Sequence, residues 1–264
     1  MLGLFLLPVV NEIVLNIKGC LCRSRILKPE YSERHRLKEV LPIVYSPGYN
    51  IHFFGLEKCH PFDSTKYRRI FADLIESGHI DTSVQKIHAP SIPSREFLQY
   101  VMSSWYLFLL NYTLMICRCI ELPLVFLPAW SLRMRLLDPM MRATQGSVDG
   151  ACIARHKGWA INLSGGYHHA HRNDGGGFCI YPDITFVTTY MEQWYGLNKF
   201  LIIDLDAHQG NGHERDHMDK RKYYIIDAYN HRIYPGDSDA MAAISDDIRV
   251  NRNENDAAYL TKVD

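Results

Sequence analysis

Apolar residues in this chain fall into short runs broken by glycine, proline and polar turns, and the runs alternate with stretches of helical spacing. The run Leu41-Pro-Ile-Val-Tyr-Ser-Pro-Gly-Tyr49 predicts a short strand entering a turn. Residues 64–77 place Tyr67, Ile70, Phe71, Leu74 and Ile75 on one helical face. A helix is expected from Ser147 to His156, stopped near Gly158, and a short buried strand from Trp159 to Leu163. Ile184, Val187, Tyr190, Met191 and Trp194 mark an amphipathic helix over 184–195. Lys199–Leu205 and Tyr223–Ala228 read as buried strands, and Tyr234-Pro-Gly-Asp237 as a turn. Short apolar strands alternating with helices predict a three-layer α/β/α domain around a mostly parallel sheet. In such sheets ligands bind beyond the carboxyl ends of the strands.

Two apolar segments need separate treatment. Trp105–Pro128 is interrupted by Asn111, Arg118, Glu121 and Pro123, whereas a membrane span needs about 20 nearly uninterrupted apolar residues. A buried helix followed by a strand at Leu124–Leu127 is expected instead. The N-terminal MLGLFLLPVV carries no Lys or Arg before its apolar run and no clear cleavage site after it, so it does not read as a secretion signal. Residues 1–40, with a charged patch from Glu30 to Glu39, read as an N-terminal extension, and 41–264 as the domain.

With 264 residues, there is ample material for a core. Lys+Arg and Asp+Glu both number 29, so no basic excess supports direct contact with nucleic acid. The cysteines number seven at irregular spacing, which does not describe a disulfide framework. A reducing intracellular compartment, nucleus or cytoplasm, is the expectation.

The chemistry concentrates in Leu201-Ile-Ile-Asp-Leu-Asp-Ala-His-Gln-Gly-Asn-Gly-His213. Residues two apart in a strand share a face, so Asp204, Asp206 and His208 are expected to project together from a strand end. Carboxylates on one face repel unless a cation joins them, and Asp with His suits zinc or a similar ion. The bland alternative is a strand that ends in polar turn residues.

A second loop reads Ser164-Gly-Gly-Tyr-His-His-Ala-His-Arg-Asn-Asp-Gly-Gly-Gly-Phe-Cys179. A lone histidine is more often a satisfied core or surface residue than a catalytic one. The pair His168-His169 between glycine clusters, with a metal-type strand downstream, favours proton transfer near neutral pH. His171 is expected to remain a surface residue.

These two segments together resemble the zinc-dependent histone deacetylases. Ile43-Val-Tyr-Ser-Pro-Gly-Tyr-Asn50, Gly55-Leu-Glu-Lys-Cys-His-Pro-Phe-Asp63, Gly158-Trp-Ala-Ile-Asn162 and Tyr229-Asn-His-Arg-Ile-Tyr-Pro-Gly-Asp237 look like the class IV, histone deacetylase 11-like branch. The resemblance implies an arginase/deacetylase-like fold and zinc-dependent hydrolysis of acyl-lysine amides, on protein substrates such as histone tails. It implies that Asp206 and His208 are zinc ligands, that His169 is the general base, and that His168 is its electrostatic partner, oriented by Asp204. Phe178 and Tyr234 match walls of an acyl-lysine tunnel, and the Gly177 carbonyl an acceptor for the substrate amide. It also implies a structural potassium near the Asp204 and Asp206 backbone, with Asp227 close by.

The chain departs from that pattern at two places. The family's third zinc ligand, an Asp on a later strand, and its carbonyl-polarising Tyr match no motif before Asp264. None of Asp237, Asp239, Asp246, Asp247, Asp256 or Asp264 stands in the corresponding context. A C-terminally truncated catalytic domain with impaired activity is therefore expected. The alternatives are a non-catalytic scaffold for partner binding, or a di-manganese ureohydrolase. The ureohydrolase would want an Asp at the position of Gly210.

Overall fold

The computed structural model describes the backbone of residues 3–6 and residues 37–52, 55, 57 and 63–263. The expectations placed on the rest of the N-terminal extension, on the apolar leader and on most of Gly55–Asp63 lie outside the described residues. Two parallel systems form the centre of the fold. In the first, strand β2 (Ile43–Val44) pairs parallel with β3 (Trp159–Asn162), whose other edge takes β1 (Gly3–Leu6) antiparallel. In the second, β4 (Phe200–Asp204), β5 (Tyr223–Asn230) and β6 (Asp246–Val250) run parallel in that order. Asp204 stands opposite Asp227 in the register.

The helices between these strands follow the apolar spacing of the sequence. They are α1 (Lys66–Glu76), α2 (Arg95–Val101), α3 (Ser104–Leu109), α4 (Thr113–Ile120), α5 (Ala129–Leu132), α6 (Asp138–Lys157), α7 (Asp183–Tyr195), α8 (Asn211–Asp216) and α9 (Asp256–Val263). The side chains of Ser94 and Ser103 cap α2 and α3, each accepting a backbone N–H of the first turn. The α6 helix buries Met140, Val148, Ala151 and Ile153, and packs on β2, β3 and α7. Its chain leaves at Gly158 in the left-handed conformation and turns directly into β3. The result is the expected α/β fold with mostly parallel strands.

Three local expectations are corrected. The helix expected from Ser147 begins at Asp138 and is continuous, through a π-helical turn at Arg133–Leu137, with α5. Pro139, which has no N–H to donate, lies just after that turn, where the regular α-helical bonding is already interrupted. Leu124–Leu127 is a turn between Pro123 and Pro128, closed by the Leu127 N–H on the Leu124 carbonyl at 3.0 Å. With prolines bracketing it and the backbone bonded locally, this segment has nothing to offer a neighbouring strand. Trp105–Ile120 forms two short helices, α3 and α4, rather than one. No helix among the described residues is long and apolar enough to cross a membrane. Cys117, Cys119, Cys152 and Cys179 are buried free thiols. Along β4, Leu201 and Ile203 remain 58% and 54% exposed, so this apolar face is uncovered among the described residues.

Candidate active site

The histidine loop is held from beneath by one buried carboxylate. Asp183 opens α7, and its two oxygens accept the N–H groups of Gly166 and Tyr167, each at 2.8 Å. The Ser147 hydroxyl of α6 donates to the same carboxylate at 2.5 Å. Gly165 passes over this group with φ +88°, and a Cβ there would strike Ser147 Oγ and Asp183 Oδ2. Glycine is thus required twice, for the turn and for the close approach. Asn162, the last residue of β3, ties the layer to Tyr49, whose hydroxyl donates to Asn162 Oδ1 at 2.8 Å.

Above this floor, both imidazoles are buried and each is bonded through Nδ1. His168 Nδ1 donates to Asp204 Oδ2 at 2.8 Å. His169 Nδ1 lies 2.8 Å from Asn211 Oδ1, an oxygen that only accepts, so the proton sits on Nδ1 and Nε2 carries the lone pair. The rings stand 4.0 Å apart, centroid to centroid. Burial by itself would depress His168, but the Asp204 carboxylate outweighs it and holds its pKa above the ordinary value. Burial and the neighbouring His168 push His169 down to about 3. The pair is therefore divided into a cation held by an acid and a neutral base.

Asp204, Asp206 and His208 do come together, although not by strand alternation. The strand ends at Asp204. Its Oδ1 accepts the Asp206 N–H at 3.1 Å, and Asp206 Oδ1 in turn accepts the His208 N–H at 2.9 Å. Two successive Asx turns, in which a short acidic side chain captures an N–H two residues on, replace the strand. Asp206 Oδ1 ends 3.0 Å from His208 Nδ1 and 3.7 Å from His168 Nε2. Asp206 is partly exposed, and His208 is 44% exposed in its side chain.

Tyr234 stands edge-on to His169 at 4.9 Å between centroids and to His208 at 6.2 Å. Gly177, with φ +53°, lies against the His169 ring so closely that a Cβ would meet its carbons. Phe178 also takes a positive φ, 63°, and its N–H donates to the Cys119 carbonyl at 3.0 Å. Gly177 and Tyr234 therefore lie against the His169 ring, and Phe178 follows Gly177 in the chain. His171 sits half-buried in the same loop, paired through its backbone with Asp174, and does not join the pair.

Residue-level reading of the sequence missed Asp183, Asn211 and His213. Asn211 stands three residues after His208, at the start of α8, and could have been sought as a partner for the second imidazole. Nothing local marks Asp183, whose role depends on α7 meeting the loop.

Two donor sets invite cations. Asp206 and His208 offer one oxygen and one nitrogen side by side, suited to zinc. They fit as two ligands of such a site, and no third His, Cys, Asp or Glu among the described residues converges with them. Deeper, Asp204, His213 and Asp227 bring donor atoms within 4.8 Å of one another. There His213 Nδ1, Asp227 Oδ1 and the adjacent Glu214 Oε1 are buried without a hydrogen-bond partner. Burial and the Asp204 charge push Asp227 up to about 10.

Comparison with known proteins shows the family of the chain. The histone deacetylase domain family matches residues 60–261, and the chain belongs to that family. It is 37% identical over 243 residues to histone deacetylase 2 of Arabidopsis thaliana, covering 92% of this chain and 62% of that protein. An uncharacterized protein of Picosynechococcus sp. is 32% identical over 65% of this chain and 54% of its own length. The chain thus spans a little over half the length of these relatives. Among solved structures, the HD domain of HDA15 superposes with a TM-score of 0.57 at 22% identity, covering 74% of this chain and 55% of that one, a likeness of fold.

Proposed function

We propose that this site carries out zinc-dependent hydrolysis of acyl-lysine amides, a reading supported by its membership of the histone deacetylase domain family. The observation that carries the reading is the division of labour between the two buried imidazoles, His168 on Asp204 and His169 on Asn211, beside the Asp206–His208 donor pair. Asp206 and His208 would hold the zinc, which when bound lowers the pKa of water towards neutrality and polarises a carbonyl. The Nε2 lone pair of His169 takes the proton of the attacking water and returns it to the departing lysine amine. His168, kept cationic by Asp204, stabilises negative charge that develops beside it. Phe178 and Tyr234 flank the acyl-lysine chain, and the Gly177 carbonyl accepts its amide N–H.

A catalytic zinc takes three protein ligands plus water, and only two are present among the described residues. Turnover on these two ligands alone would accordingly be slow. That shortfall also favours a second reading, a scaffold that binds acylated partners without processing them. The resemblance of its motifs to the class IV branch supports action on acylated proteins such as histone tails, in the nucleus or cytoplasm. A structural potassium would sit near the Asp204 and Asp206 backbone, with Asp227 close by. Peptides carrying acetyl-lysine or long-chain acyl-lysine, incubated with zinc-loaded protein, test the reading. Chelator-sensitive release of the carboxylate with appearance of the deacylated peptide supports it; binding without release selects the scaffold.

A further inference from the structure

A cavity of about 460 Å³ opens between α2, α3 and the continuous helix that starts at Ala129. None of the residues assigned above to catalysis or zinc lines it. Its volume falls in the range of small-molecule sites, roughly 300–1,000 Å³. Leu98, Leu107, Leu110, Leu137 and Met141 supply apolar walls. Tyr181, only 2% exposed, also lines it.

The charged groups give the cavity its sign. Arg95 and Arg133 line it, and neither guanidinium forms an ion pair or side-chain hydrogen bond among the described residues. Asp138 is the one lining carboxylate, half-buried and likewise without an ion pair. Two cations against one anion leave a single positive charge over an apolar pocket. The helix wall here is also irregular. Its π-helical turn runs from Arg133 to Leu137, and both end residues face the cavity. Such turns recur at functional sites because they re-aim side chains at the cost of regular hydrogen bonding.

We propose that this cavity binds a small amphipathic monocarboxylate, its apolar tail on the leucine wall and its carboxylate held by Arg133 and Arg95. Guanidinium is suited to this task, since its fork of donors matches a carboxylate and its charge survives at any physiological pH. The site is separate from the imidazole pair, and the proposal stands whether or not the chain turns over acyl-lysine.

Octanoate and octanol, of equal length and different charge, are the probes, with binding followed by calorimetry and ligand-detected NMR on the full chain. Saturable octanoate binding is expected, about tenfold tighter than octanol. Arg95→Gln with Arg133→Gln should erase that preference, and Leu107→Trp should block both ligands. A carboxylate is also what acyl-lysine hydrolysis releases, so an Asp206→Asn, His208→Ala variant separates the two sites. Retained octanoate binding in that variant supports the proposal, and its loss there overturns it. Equal affinity for octanol, indifference to the double arginine substitution, or no saturable binding at millimolar octanoate would each overturn it as well.

Discussion

Asp204 ends β4 with its Oδ2 2.8 Å from His168 Nδ1 and 3.0 Å from His213 Nε2, a single buried carboxylate shared by one imidazole of the histidine loop and one of α8. Those bonds join the histidine loop, the strand end and α8 into one unit. The His168 carbonyl reinforces it by accepting the N–H groups of Gly212 and His213 at 2.8 and 3.1 Å.

Removing that carboxylate leaves two buried imidazoles without their acceptor. Asp204→Ala should lose about 3–5 kcal/mol of unfolding free energy, read by urea denaturation. A loss below about 1 kcal/mol would mean that the cluster is solvated and that Asp204 is not its hub.

Asp183→Ala tests the floor of the site. It deprives the Gly166 and Tyr167 amides of their acceptor, at about 1–3 kcal/mol for each buried group. The amide resonances of residues 165–169 should broaden or shift, while those of β5 stay in place. Unchanged His168 and His169 side-chain signals would show that the loop holds its shape without this support.

Acid sensitivity should come partly from His217. Its Nδ1 donates to the His213 carbonyl at 2.6 Å and its Nε2 meets the Thr188 hydroxyl at 2.8 Å, so the neutral ring is fully bonded. Burial and the neighbouring His213 push its pKa down to about 3 in the fold, against roughly 6.5 in an unfolded chain. A depressed histidine contributes stability above the unfolded value and loses it as pH falls towards the folded one. Unfolding free energy should therefore decline between pH 6.5 and 3. In His217→Gln that slope should be shallower, with lower stability at neutral pH. An identical slope in both proteins would remove His217 from the account.

Zinc should report on Asp206 and His208 separately from turnover. Substituting either, as Asp206→Asn or His208→Ala, should weaken zinc binding by about tenfold or more, whereas His171→Ala should leave it unchanged. Calorimetry with zinc alone reads this. Equal loss in His171→Ala would show that the ion sits elsewhere in the loop.

Much of this was legible along the chain because the signals are local. Strand β4 and helix α7 announce themselves by apolar period, and His168-His169 by their glycine borders. The grouping of Asp204, Asp206 and His208 was also readable, but its cause was not. Alternation in a strand was expected, whereas two Asx turns do the work, and side-chain capture of an N–H leaves no periodic trace. Asp183 and Asn211 were invisible for a different reason. Each becomes important only through a partner distant in sequence, Gly166 or His169, that tertiary packing brings within 3 Å. Leu124–Leu127 misled because a short apolar run between prolines carries β-propensity without a partner to pair with.

The central claim is that the Nε2 lone pair of His169 serves as the base in acyl-lysine hydrolysis. The direct measurement compares zinc-loaded intact protein with His169→Ala on one acyl-lysine peptide, under conditions where both proteins are folded. The account predicts slow hydrolysis by the intact chain and a rate lower by about 100-fold or more in the variant. Hydrolysis that proceeds equally well in His169→Ala would contradict it.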